Sequence, residues 1–159
     1  MIKYKSKLLS SVEGISYNFG SKSSMPIKED VFTLNQIHSD KVIFLKNTDK
    51  NYKPFDGDAI ITTQKRFNIG VKTADCVPIL LTDINATFVA AIHSGWRGTY
   101  HKIIVNVLNL IFKELMIKPE NIIGCLGPSI SLENYEVSED MWITVSYTHL
   151  TLPTKWWVW

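Results

Sequence analysis

Cysteine, charge of one sign and long apolar runs are all scarce in this chain, and each scarcity removes a class of protein. Two cysteines, Cys76 and Cys125, occur in 159 residues. That is too few for a disulfide framework, so a small secreted scaffold is excluded, and in a reducing compartment each thiol is either packed or functional. The formal net charge is only +2. Its lysines and arginines are scattered without building a positive stripe, which argues against nucleic acid as a partner. No stretch approaches the roughly 18 to 20 apolar residues that cross a bilayer, and the basic start MIKYKSKLLS lacks a signal-peptide core. No repeat or low-complexity segment occurs, and glycine and proline fall singly where turns are expected. What remains is a cytoplasmic globular protein with no membrane partner, in which a 45% hydrophobic share supports one core.

The apolar pattern that is present alternates or runs in short blocks. GISYNFGSK reads as a short strand ending in a turn at Gly20, and the polar stretch from Ser21 to Asp30 as a loop. VFTLNQIH alternates and KVIFL is densely apolar, so two strand segments flank SD, with His38 at a strand end. DGDAIIT and FNIGVKTAD suggest further strands. VPILLTD and TFVAAIH are the β-branched runs of strands buried on both faces, and His93 closes the second of them. From Thr99 the apolar residues Ile103, Val107, Leu110, Ile111 and Leu115 recur at helical spacing, with Lys102, Asn106, Asn109 and Lys113 opposite. Pro119 ends that helix and IIGCLG follows as a strand. The turn SGWRG before the helix offers free amides and Arg97 as a cradle for phosphate or another anion.

The composition shifts from Val145. VSYTHLTLPTKWWVW holds three tryptophans in its last four residues, large rings with nothing to cover them. VSYTHLTLPT also resembles one reading frame of a transposon-end adapter used in sequencing libraries. The expected division is therefore an incomplete domain over residues 1–144 and a non-native tail over 145–159, which leaves His149 without a role. The alternative is a C-terminal strand with an aromatic anchor.

Three soft donors stand where apolar runs give way to small or polar residues: His38 in NQIHSD, Cys76 in TADCVP and His93 in AAIHSGWRG. Each alone reads first as a hydrogen-bonded structural histidine or an inert core thiol rather than as a ligand. If they converge, two imidazoles and a thiolate give zinc three ligands and leave a fourth position open, the arrangement of a catalytic site. Copper is the weaker candidate for the same donors. Arg97, between two glycines, can hold an anion by its planar fork or form a surface salt bridge. Trp96 serves as a wall for a flat ring or as packing. Asp75 caps a turn or orients a ligand, while Asp56 and Asp58 read as turn acids rather than a catalytic pair. His101 reads as solvated.

The blocks NQIHSDKV, DGDAIIT, TADCVPILL, AAIHSGWRG and LGPSISLENYEV resemble, in this order, those of the YfiH-like family, also called the laccase-domain or polyphenol oxidase family. The resemblance runs from about Gly14 to about Asp140, and TADC with HSGWRG is a specific combination. It implies an α+β fold of mixed β-sheets with flanking helices, here without the final third of the domain. It also implies that His38, Cys76 and His93 bind one catalytic metal, zinc before copper, with Arg97 in the same pocket. The activity implied is that of a purine nucleoside phosphorylase with adenosine deaminase side activity, so purine nucleoside and phosphate are the expected partners. The Gly20 to Val31 loop is shorter than in longer members. The missing strands leave apolar faces of the helix and of the strands before it exposed. Three other chemistries stay open beside this one: a copper-dependent polyphenol oxidase, a metal-free hydrolase with Cys76 as nucleophile, and a structural zinc domain. Only four histidines are present, few for a multicopper centre.

Overall fold

The computed structural model describes residues 4–20, 31–46 and 55–149, with the side chains of 146–149 outside the description. The strands are β1 (Val31–Thr33), β2 (Val42–Leu45), β3 (Ala59–Thr62), β4 (Asn68–Gly70), β5 (Val77–Asp83), β6 (Val89–Ser94) and β7 (Ile122–Leu126). The helices are α1 (Lys7–Ser10), α2 (Trp96–Tyr100), α3 (Ile103–Leu115) and α4 (Glu139–His149). Five strands form one sheet in the order β2-β3-β6-β5-β7, and β1 pairs with β4 in a second, two-stranded sheet. In the larger sheet β2 and β3 run parallel, and β6 is antiparallel to β3 and β5. The fold is thus α+β with mixed sheets and flanking helices.

The central strand β3 shows how its sequence makes the layers. All four residues, AIIT, are buried. Because successive side chains point to opposite faces, Ala59 and Ile61 join the core under α3, and Ile60 joins Leu34 and Leu45 on the side where Phe32 and Ile69 of the small sheet pack. Each fully buried isoleucine contributes about 1.5–3 kcal/mol relative to exposure. On α3 the positions Ile103, Val107 and Ile111, spaced by four, are the buried stripe against the sheet.

Two expectations from the sequence are corrected. The helix does not run on from Thr99: α2 ends at Tyr100, Lys102 takes a left-handed conformation (φ 61°, ψ 42°), and α3 begins at Ile103. The break lets α2 lie beside the His38 turn, where a β-carbon on Gly98 would stand 3.0 Å from the Ser39 carbonyl oxygen, while α3 turns along the sheet. Nor does GISYNFG form a strand. The Tyr17 hydroxyl accepts from Ser6 N (2.7 Å) and donates to Ser6 O (2.9 Å), tying the segment to α1 instead of to a ladder.

At the other end α4 crosses the Thr144–Val145 boundary as a helix up to His149, so this part is not the alternative C-terminal strand; residues 150–159 lie outside the described residues. The loop expected over Ser21 to Asp30 lies outside them too. Among the described residues no helix is long and apolar enough to cross a membrane.

Candidate metal centre

The strand registers bring the three soft donors together. In the β5–β6 ladder Val77 pairs with Ser94 and Pro78 with His93, so Cys76, one residue before β5, arrives beside Gly95, one residue after β6. In the β3–β6 ladder Ala59 pairs with Ile92. Asp58, just before β3, therefore faces His93 and accepts its main-chain N–H through the Asp58 carbonyl at 2.7 Å. His38 enters from the loop between β1 and β2, on a turn where its own φ is 56°.

One donor atom from each of His38, Cys76 and His93 lies within 4.8 Å of the other two. The imidazoles meet edge to face with centroids 4.7 Å apart. His93 is buried, Cys76 half-buried and His38 exposed, so the cluster opens to solvent on the His38 side. A β-carbon on Gly95 would stand 3.1 Å from Cys76 Sγ and 3.2 Å from His38 Nδ1. Glycine here lets main chain approach the donors. Two nitrogens and a sulfur at this spacing suit a divalent ion that takes N and S ligands, with one coordination position left open.

Behind the donors lies Asp58, whose side chain is fully buried. Its Oδ1 accepts from His93 Nδ1 (2.8 Å) and His38 N (3.1 Å). Its Oδ2 accepts from Ser39 N (2.6 Å), Ser39 Oγ (2.7 Å) and, longer, Ile37 N (3.4 Å). Burial alone raises a carboxyl pKa, yet the bonds from His93 and Ser39 and the His93 charge outweigh it and hold Asp58 below its ordinary value. The carboxylate of Asp58 is therefore ionised, with His93 Nδ1 in hydrogen-bond contact with it.

Asp58, a turn acid by its sequence, is instead a buried acceptor behind two of the donors. The available signal was an acid placed directly before the wholly apolar start of a strand, in DGDAII, where an exposed turn is a poor explanation.

The Cys76 thiol is pushed up, first by burial and then by the negative charges of Asp75 and Asp58. Asp75 itself is exposed, and its carbonyl accepts from Ile130 N at 3.0 Å, which fastens the segment after β7 to the cysteine turn. Tyr135, from that segment, is a neighbour the sequence reading missed: its phenol is raised by burial, then by the charges of Cys76 and Asp75. Arg97 is exposed, with its guanidinium carbon 5.2 Å from the centroid of the Trp96 ring. Among the described residues it enters no ion pair. His101 is exposed and stacks edge-on against Tyr100; Asp56 is also exposed and accepts from Asn35 Nδ2.

A family described as multi-copper polyphenol oxidoreductase laccase matches residues 15–152. A purine nucleoside phosphorylase of Aquifex aeolicus is 41% identical over 113 residues, which cover 71% of this chain and 52% of that protein. A solved Neisseria meningitidis protein superposes with a TM-score of 0.63 at 33% identity, over 74% of this chain and 46% of its own. The YfiH protein of Bacillus licheniformis shares the fold, with a TM-score of 0.66 at 23% identity over 79% of this chain and 48% of its own. This chain spans about half the length of these proteins, and a third of another phosphorylase, from Bacteroides thetaiotaomicron.

Proposed function

Since the chain belongs to the multi-copper polyphenol oxidoreductase laccase family, whose YfiH-like members share its fold, we propose that it is a metal-dependent purine nucleoside phosphorylase with adenosine deaminase side activity. The observation that carries this is the convergence of His38, Cys76 and His93 to within 4.8 Å, in a chain similar to proteins named purine nucleoside phosphorylase. The substrates are adenosine or inosine and phosphate; the products are the purine base and ribose 1-phosphate. A phosphate oxygen bonds to the sugar carbon C1′ as the C1′–N9 bond breaks, and its electron pair leaves with the base.

Zinc is the proposed ion, held by His38, Cys76 and His93, because a thiolate with two imidazoles suits it better than a multicopper centre. When bound it supplies Lewis acidity. Arg97 is the proposed phosphate ligand: a fixed cation with a planar fork, four residues after His93 and in no ion pair among the described residues. Holding phosphate and nucleoside in register and neutralising charge supply most of the rate enhancement. The proposed setting is the cytoplasm, whose reducing conditions would keep both cysteines as thiols.

The family's description favours a second reading, a copper-dependent polyphenol oxidase. Among the described residues His38, Cys76 and His93 form a single three-donor cluster, whereas a multicopper centre needs further imidazoles. The metal-free Cys76 nucleophile fares worse, because burial and two neighbouring carboxylates hold the thiol protonated.

The test is to incubate the zinc-loaded chain with adenosine and with inosine, each with and without phosphate, and to follow adenine, hypoxanthine and inosine. Phosphate-dependent release of base supports phosphorolysis, and inosine from adenosine without phosphate supports deamination. Absence of every product, or oxygen uptake with a phenol by the copper-loaded chain, overturns the proposal.

A further inference from the structure

The three donors account for the ion but not for why they are ready to receive it. His93 has two ring nitrogens and His38 sits on a left-handed turn, a conformation that costs an L-residue roughly 1–2 kcal/mol. One group touches both problems. We propose that Asp58 is a positioning residue that sets two of the three metal ligands at once: it fixes the His93 proton on Nδ1, leaving Nε2 as the free lone pair, and it clamps the main chain that carries His38. This rests on the metal centre proposed above and adds a residue to it.

The bonding pattern dictates what replacing the carboxylate by an amide does. Asp58 offers two acceptor oxygens, and each faces donors. An asparagine offers one acceptor and one NH2 donor, so one of the two positions becomes donor against donor. At the Oδ2 position the amide nitrogen would confront the main-chain N–H groups of Ser39 and Ile37, which cannot reverse. At the Oδ1 position it would confront the His38 N–H, whose 3.1 Å bond is weaker than the 2.6 Å bond from Ser39 N, and the His93 ring, which can reverse. The amide nitrogen therefore settles on the Oδ1 side. His93 Nδ1 is then forced to accept, and the ring proton moves to Nε2, the atom the ion needs. The His38 N–H loses its acceptor in the same event, so the turn behind the second ligand loosens.

A hydroxyl on the same clamp gives the contrast. Ser39→Ala deletes the 2.7 Å bond to Oδ2 but leaves Asp58 an acceptor on both sides, so the His93 tautomer stays as it is. A residue that merely held the loop in place would not separate these two substitutions by tautomer.

Two measurements on the full chain decide it. Long-range 15N–1H correlation spectra of the metal-free protein read the histidine tautomers, and competition with a chromogenic chelator reads zinc affinity, with circular dichroism checking the fold. The wild-type chain and Ser39→Ala are expected to hold the His93 proton on Nδ1. Asp58→Asn is expected to hold it on Nε2 and to bind zinc about 10- to 100-fold more weakly. A wild-type His93 with its proton on Nε2, or an Asp58→Asn chain with unchanged tautomer and affinity, overturns the inference. If Asp58→Asn does not fold, the wild-type and Ser39→Ala tautomers decide alone, and a shift to Nε2 in either overturns it. A wild-type chain that fails to bind zinc but keeps the Nδ1 proton overturns the metal centre and leaves the Asp58–His93 pairing standing.

Discussion

At the residue scale the centre is set by proton competition and by space. The Cys76 thiol lies above its ordinary pKa because of burial and then the charges of Asp75 and Asp58, so near neutral pH an ion must displace its proton. Raising the pH removes that competitor, and lowering it restores the proton and releases the ion. Zinc affinity is therefore expected to tighten roughly tenfold per pH unit between about pH 7 and 8, with about one proton released per ion. Titration of the metal-free chain in buffers of different ionisation enthalpy measures both quantities. A pH-independent affinity with no proton release contradicts a protonated cysteine ligand.

Space is tested at Gly95. Its backbone (φ −76°, ψ 174°) is one any residue adopts, so alanine there introduces no torsional strain and acts only through its β-carbon. That carbon would sit 3.1 Å from Cys76 Sγ and 3.2 Å from His38 Nδ1, closer than such atoms normally approach, and must push the donors apart. Gly95→Ala is expected to weaken zinc binding by at least about tenfold while shifting the stability of the metal-free chain by less than about 1 kcal/mol. Equal zinc affinity in the two proteins would show that the donors have room to spare.

At the scale of elements, what was legible in the sequence is what depends on neighbours in the chain. β5 and β6 were visible because strands buried on both faces lose their polar alternation, and α3 because Ile103, Val107 and Ile111 recur on one face. The boundary at Lys102 was not legible, since a left-handed lysine leaves no compositional mark in a window that is helical on both sides. The convergence of His38, Cys76 and His93 was carried by the family resemblance, because it depends on which residues the β3–β6 and β5–β6 ladders set opposite one another. The role of Asp58 stayed hidden for the same reason: its partners Ser39 and His93 lie 19 and 35 residues away.

The Lys102 junction also makes a prediction of its own. Lysine at φ 61° carries the steric cost that glycine avoids, and its side chain is exposed, so little packing is lost on removing it. Part of that gain is offset by glycine's greater freedom in the unfolded chain. Lys102→Gly is expected to stabilise the fold by up to about 1 kcal/mol, read from urea unfolding. Destabilisation would mean that the lysine side chain holds the α2–α3 corner.

At the scale of the whole molecule the two edges of the sheet have different neighbours, with α1 packed against β7. β2 lies at one edge, beside the layer formed with the small sheet, whereas β7 forms the opposite edge. Between β5, β7 and α3 runs a groove of about 270 Å³ lined by Leu81, Ile104, Leu108, Phe112, Ile117 and Ile122, and Phe112 is 52% exposed on its rim. Surface of this kind takes up amphiphilic dyes, because burying the dye's rings against it removes apolar area from water at about 25 cal/mol per Å². The folded chain is therefore expected to enhance the fluorescence of anilinonaphthalene sulfonate. Phe112→Glu, which sets a charge on the rim, is expected to cut that enhancement at least about twofold, with unfolding stability changed by less than about 1 kcal/mol. The glutamate faces solvent and leaves the buried stripe of Ile103, Val107 and Ile111 intact, so a stability loss well beyond that, or unchanged dye binding, would mean that Phe112 belongs to the core rather than to an open groove.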